Sequence, residues 1–431
     1  MYRKIMSELL EWKKNRNRMP LVLYGARQVG KTHILQEFAE RCYENSTYFN
    51  FESNISLSSY FEQTINEKKI IEYLEAETNQ KIIPDKTLII FDEIQVCERA
   101  LTSLKYFNEN APQYHIVCAG SLLGVAINRE KYSFPVGNID SMNMYPLDFE
   151  EYMLAFGEEK LCNEIKNCFE RKMPMPLPLH NKATELYKKY LITGGMPRVT
   201  LEYLQNESFI AAGNAQRKIL SDYVADSAKY ASPSECVKIR AAYDSIPVQL
   251  AKENKKFQYK LVQKGATTSI FGIAIDWLDC AGIVNKCTKT ETALFPLSVY
   301  RDLSSFKLYM SDTGLLTLKS GISFTAVLNN EGINIPFVGA LAENYVAQCL
   351  SAKKYPLFYW ANNATAEIDF LIQKDDKVIP IEVKAGENVK SRSLSVFCEK
   401  YKPQYSIRVS MKNFGFDNNI FSVPLYAVYC I

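Results

Sequence analysis

The sequence predicts an α/β protein in which a doubly wound parallel sheet is followed by a helical winged helix-turn-helix region and a second α/β region. Three observations predict it. Short apolar runs alternate with amphipathic helical stretches over residues 1–160. Residues 234–310 then run as helical patterns followed by two strand patterns, and residues 339–386 run helix, strand, strand, strand. The expected boundaries are 1–160, 161–205 (a helical linker), 206–325 and 326–431.

Composition sets the frame. The chain has 431 residues, so roughly two to four domains are expected. Its 47% hydrophobic and 23% charged content is that of a soluble globular protein. A net charge of +3 does not by itself argue for nucleic acid, so any DNA-facing surface must be local. No apolar run reaches about 18 residues, and the N-terminus lacks a signal-peptide core. No membrane association is expected. The eleven cysteines are scattered with no C-x-x-C pair, which predicts reduced thiols and a cytoplasmic protein. With only three histidines, any metal must be held by oxygen ligands.

In the first region, the apolar run Leu21–Tyr24 leads into Gly25-Ala26-Arg27-Gln28-Val29-Gly30-Lys31-Thr32 and then a helix whose Ile34, Leu35, Phe38, Ala39 and Cys42 share one face. This strand–loop–helix context makes the G-x-x-x-x-G-K-T spacing a phosphate-binding P-loop. Gly25 and Gly30 let successive N–H groups turn toward phosphate oxygens. Lys31 is expected at the β- and γ-phosphates, and the Thr32 hydroxyl on Mg²⁺. The following helix points its positive dipole end at the anion.

About 60 residues on, Lys86–Gln95 places a buried strand ahead of Asp92-Glu93. Acids at the C-terminal end of a parallel strand face the ligand crevice. Asp92 is expected to hold Mg²⁺ through its water shell and Glu93 to polarise the attacking water. Alone, the two acids would read as a solvated strand end; beside a P-loop they do not. A further buried strand, Tyr114–Ser121, ends at the same edge. Ser121 either senses the γ-phosphate or closes a turn with Gly120.

Gly-Ala-Arg-Gln-Val-Gly-Lys-Thr, Phe-Asp-Glu-Ile-Gln, Ala-Gly-Ser-Leu-Leu-Gly and Tyr145-Pro-Leu-Asp-Phe-Glu-Glu151 occur in that order. In this the chain resembles, nearly end to end, a prokaryotic AAA+-like P-loop ATPase family with a C-terminal domain of unknown function. The resemblance implies ATP as the nucleotide. It also marks a departure: where the family usually has a basic residue after Phe-Pro-Val-Gly, this chain has Asn138. Arg129 and Arg198 are the alternative arginine-finger candidates, and nothing in the sequence ranks them.

In the middle, Arg171–His180 alternates proline with apolar residues and predicts an extended connector. A helix over 184–192 is expected to stop at Gly194-Gly195, which with the connector forms a candidate hinge. Helices are expected over 234–245, over 247–254 with Pro247 in its first turn, and over 269–281, closed by Gly282. Strands at 283–289 and 306–310 complete a winged helix, which the family resemblance also suggests. Lys252, Lys255, Lys256, Lys260 and Lys264 are a candidate phosphate-contacting set. A solvated face and a protein-docking module remain the alternatives. Asp312 is expected to start a turn into a short helix.

The last region holds a second candidate site. Glu343 lies on the helix 339–350, off its apolar stripe. The strand 366–372 sets Asp369 opposite Ile368, Phe370 and Ile372. Strand 378–386 puts Glu382 and Lys384 on one face because alternate strand residues share a face. This set resembles the PD-(D/E)XK core of restriction-endonuclease-like domains. The resemblance implies that Asp369 and Glu382 hold Mg²⁺, Lys384 activates water, and Glu343 completes the acidic cluster. The plainer alternative is a solvent-side ion pair on an edge strand.

The expected function is an ATP-binding and ATP-hydrolysing protein, with ATP and Mg²⁺ as cofactors, coupled to a DNA-binding and Mg-dependent nuclease module. The alternative is a nucleotide-gated switch or assembly factor that binds a protein partner and cleaves nothing. Homo-oligomer formation is compatible with both.

Overall fold

A computed structural model describes residues 1–120, 135, 137–329, 335–362, 366–386 and 392–431. The chain divides into two compact units. The N-terminal unit comprises Arg3–Tyr145 with Cys280–Gly282. The C-terminal unit comprises Met1–Tyr2, Pro146–Asp279 and Ile283–Ile431.

In the N-terminal unit, β1 (Leu21–Tyr24), β2 (Asn45–Asn50), β3 (Thr87–Asp92), β4 (His115–Ala119) and β5 (Asp140–Asn143) form one sheet in the order β2-β3-β4-β1-β5. Every pair is parallel. β1, β3 and β4 are buried at every position, as continuous apolar runs covered on both faces require. Helices α1 (Ile5–Lys14), α2 (Lys31–Cys42), α3 (Ile55–Gln63), α4 (Glu67–Thr78) and α5 (Glu98–Asn110) supply the cover.

Two details depart from the sequence reading. The stretch 60–78 is two helices, because the Asn66 side chain accepts from Lys69 N and starts α4 anew. β5 carries no strand signal in the sequence: three of its four residues are polar, none is buried, and only pairing with β1 makes them a strand.

The C-terminal unit begins helical. Helix Leu177–Thr193 starts earlier than expected, since Pro178 lies in its first turn, where a missing N–H costs nothing. Pro197–Asn206 and Phe209–Tyr230 follow. Pro233–Leu250 is one helix with Pro247 inside it, so Pro247 does not open a second one. A capping box between Ser232 and Glu235 fixes its start.

Gly194-Gly195 is no hinge. Both residues are buried; a Cβ on Gly194 would lie 2.1 Å from Asp312 Oδ1, and one on Gly195 1.9 Å from Leu147 O. Gly195 N donates to Asp312 Oδ2 at 2.6 Å, and Leu147 N donates to Gly195 O at 2.7 Å. The glycines are there for close approach. Asp312 also caps the helix Thr313–Lys319, accepting from Leu315 N at 2.9 Å.

The unit's sheet has eight strands: β6 (Val284–Thr290), β7 (Arg301–Met310), β8 (Phe358–Ala361), β9 (Glu367–Lys374), β10 (Lys377–Val383), β11 (Ser406–Ser410), β12 (Gly415–Asp417) and β13 (Ile420–Pro424). Their order is β12-β13-β11-β10-β9-β8-β6-β7. The β6–β7 hairpin expected as a wing therefore lies in the same sheet as the strands beyond 325, through a parallel β6–β8 pairing. The sheet runs across the boundary expected at 325.

Candidate functional sites

At the P-loop, backbone conformation carries the shape. Gly25 has φ +149° and Gly30 φ +97°, and a Cβ at Gly25 would lie 2.3 Å from Met144 O. Gln28 also has positive φ, at 65°. Gly30 precedes α2, whose first residues are Lys31 and Thr32. Lys31 is buried, and its Nζ donates to Gly25 O at 2.8 Å and Ala26 O at 3.0 Å. Thr32 Oγ1 donates to Asp92 Oδ2 at 2.8 Å, which joins the P-loop to the end of β3. The other Asp92 oxygen accepts from Glu93 N at 3.0 Å.

Glu93 stands in the left-handed region, φ 52°, where the strand breaks into a turn. Its carboxylate accepts from Gln95 Nε2. Arg27 reaches Glu52 at 3.5 Å. Ser121 and Arg129 lie outside the described residues. Asn138 Oδ1 accepts from Asn108 Nδ2 at 3.0 Å, and Arg198 is an exposed residue of the C-terminal unit.

Three further residues belong to this site. Tyr48, on β2, donates to Asp92 Oδ2 at 2.6 Å; burial and that bond push its hydroxyl up to about 12. Gln95 was visible only as the last letter of Phe-Asp-Glu-Ile-Gln. Buried Arg3 donates to Val29 O at 2.9 Å and Tyr145 O at 2.6 Å, pinning the loop from the N-terminus. No sequence signal pointed to Arg3.

In the C-terminal unit the four expected residues come together on one sheet face. Antiparallel register pairs Ile381 with Phe370, and continuing it sets Glu382 opposite Asp369. Val383 N donates to Asp369 Oδ2 at 2.8 Å, and Lys384 Nζ pairs with Glu382 Oε1 at 2.7 Å. β10 is an interior strand and Glu382 is 3% exposed, so the pair is not a solvent-side decoration of an edge. Glu343, on the helix Ile335–Ala352, is 4% exposed.

The face also carries residues not foreseen. Lys307 on β7 is fully buried, pairs with Glu367 and lies 3.8 Å from Glu343 Oε2. Tyr309 donates to Glu343 Oε2 at 3.2 Å, and Lys255 pairs with Glu343 Oε1. Lys255 therefore serves an internal carboxylate, where a phosphate-facing role was expected. Lys307 sits among Phe306, Leu308, Tyr309 and Met310, and a lysine inside a buried strand was the one available signal.

Charge follows this wiring. Burial raises the Glu343 carboxyl, but Lys255 and Lys307 outweigh it and hold it below the ordinary glutamate value. Burial, then Glu343 and Glu382, push Asp369 well up. Burial would lower Lys307, yet Glu343 and Glu367 keep its ammonium above the ordinary lysine value. Among the described residues, no three His, Cys, Asp or Glu side chains group closely enough to hold a metal ion.

Comparison with known proteins agrees on the N-terminal unit. Residues 17–153 match the model of an AAA domain. Residues 184–325 and 338–428 match two models described as domains of unknown function, DUF8612 and DUF4143. Together with the parallel five-stranded sheet, the first match makes this an AAA-type, ATPase-like P-loop domain. No curated protein matches the chain.

Among solved structures, the chain is similar to the Walker-type ATPase PABY2304 of Pyrococcus abyssi, at 16% identity over 74% of this chain and 95% of that one, TM-score 0.41. It is similar to the Aeropyrum pernix ORC1 protein in complex with DNA, at 13% over 75% and 92%, TM-score 0.29. AMPPCP-bound DnaA from Aquifex aeolicus gives 14% over 63% and 86%, TM-score 0.28. Among the described residues, no helix is long and apolar enough to cross a membrane.

Proposed function

We propose that the chain binds and hydrolyses ATP with Mg²⁺ in its N-terminal unit and couples this to DNA handling by its C-terminal unit. The observation that carries the first part is the bond between Thr32 and Asp92 at the mouth of the P-loop. These are the two oxygen donors that Mg²⁺ chemistry needs beside phosphate, and both are hydroxyl- or carboxylate-based. Gly25–Gly30 would cradle the phosphates, and Lys31 would exchange its carbonyl partners for phosphate oxygens. Thr32 and Asp92 would hold the ion, which when bound neutralises phosphate charge. Glu93 is the group placed to take a proton from water, and Gln95 orients it.

The test is ATP turnover and nucleotide binding by wild type and Lys31→Ala. Both should fall about 100-fold or more in the variant; unchanged turnover would refute the reading.

The DNA part rests on the nuclease-type layout of Glu343, Asp369, Glu382 and Lys384, and on the exposed Lys252, Lys260 and Lys264. Three helices followed by the β6–β7 hairpin support a winged-helix reading of the segment before it. A second reading has its own observation. The helix Thr268–Cys280, where a winged helix would read the major groove, contains no Lys or Arg and exposes Ile270 and Ile273. Base readout relies on cationic and amide side chains. That surface favours a nucleotide-gated switch that docks a protein partner, including a second copy of the chain. Salt-dependent affinity for duplex DNA separates the two: a log–log slope of several units supports DNA, and no binding at low salt supports the switch.

A further inference from the structure

The layout of the acidic cluster resembles that of a metal-dependent nuclease, but its counter-ions are supplied by the chain itself. We propose that Glu343, Glu367, Asp369 and Glu382 form a lysine-balanced network that takes up no divalent cation, so that the C-terminal unit keeps a nuclease-like arrangement without cutting. This stands independently of whether the N-terminal unit hydrolyses ATP and of whether the unit meets DNA.

The argument is geometric. Both Glu343 oxygens are engaged, Oε1 by Lys255 and Oε2 by the Tyr309 hydroxyl and the Lys307 ammonium. Glu382 is engaged by Lys384, Asp369 by the amide of Val383, and Glu367 by Lys307. Lys307 is the decisive residue. Its backbone is fixed in β7 by pairing with Cys287, and its side chain is buried. It cannot swing into solvent as a surface lysine does.

A dication entering this face would meet a buried ammonium beside the carboxylate it needs. Mg²⁺ also demands close octahedral oxygen coordination, whereas both Glu343 oxygens and Asp369 Oδ2 already accept from nitrogen or hydroxyl donors and Glu382 Oε1 is paired with Lys384. Four carboxylates against three ammonium groups leave little uncompensated negative charge to attract an ion.

The test uses the full chain and Mn²⁺, followed by the loss of its free-ion EPR signal. Without nucleotide, wild type should bind no Mn²⁺ below about millimolar concentration and leave linear and supercoiled DNA intact. Lys255→Ala combined with Lys307→Met should gain Mn²⁺ affinity at least about tenfold, and Asp369→Asn should remove that gain. Lys255→Ala alone serves if the double variant does not fold; it should gain affinity in the same direction by a smaller factor. A nucleotide-independent Mn²⁺ site in wild type that Asp369→Asn or Glu382→Gln abolishes would overturn the proposal. So would DNA cleavage that depends on Asp369 or Lys384.

Discussion

Asp92 and Glu343 are both buried carboxylates at the heart of a candidate site, and they are satisfied in opposite ways. Asp92 receives two hydroxyls, from Thr32 and Tyr48, and one backbone amide. Glu343 receives two ammonium groups and one hydroxyl. A hydroxyl can rotate and turn a lone pair toward a cation, so a hydroxyl-bonded carboxylate is ready for one. An ammonium has no lone pair to offer and competes with any cation that arrives. Acids in a cleft are therefore not equivalent evidence for metal chemistry; their partners decide.

Three experiments sharpen that contrast. The largest effect belongs to the P-loop side. Glu93→Gln should keep ATP binding while turnover falls about 100-fold or more, because only the proton acceptor is lost. Equal losses in binding and turnover would instead make Glu93 structural. Next comes Lys307→Met, which leaves the buried Glu343 and the half-exposed Glu367 without their shared cation. It should cost about 3–5 kcal/mol in chemical denaturation, and pairing it with Glu343→Gln should recover part of that. Full additivity of the two would show that the ion pair carries no coupling.

The smallest effect is in pH. Burial, with Arg18 beside it, pushes the His115 imidazole down to about 4. As pH falls from about 6.5 toward 4, the unfolded chain gains a proton that folded His115 refuses, and the N-terminal unit loses stability. Asp312 has the reverse sign. Burial pushes its carboxyl up to about 6, although backbone amides pull it back. Its proton is retained in the fold and lost in the unfolded chain between about 4 and 6, so this contribution is present at low pH and disappears as pH rises through about 6. Unfolding measured across pH 4–7 should lose the first slope in His115→Gln and the second in Asp312→Asn.

Much of the N-terminal unit was legible because its signals are local. Gly25 to Thr32 lie within eight residues, and the buried runs of β1, β3 and β4 announce themselves as apolar strings. β5 was silent because its pattern is polar, and Tyr48 because a tyrosine at a strand end has many uses. In the C-terminal unit the alternation in β9 and β10 was readable, and so was the shared face of Glu382 and Lys384. The fate of the β6–β7 hairpin was not, since a hairpin has the same sequence pattern whether it stands alone or joins a larger sheet.

The sequence by itself thus determined the phosphate loop, the Asp92-Glu93 strand end and the shared face of Glu382 and Lys384, since each depends on spacing along a single strand or turn. Only the tertiary structure decided what those acids are bonded to. Lys255 and Lys307 reach Glu343 from 88 and 36 positions away in the chain. A charge partner brought in by sheet order and burial leaves no periodic trace, and it is that partner which separates a cation site from a closed ionic network.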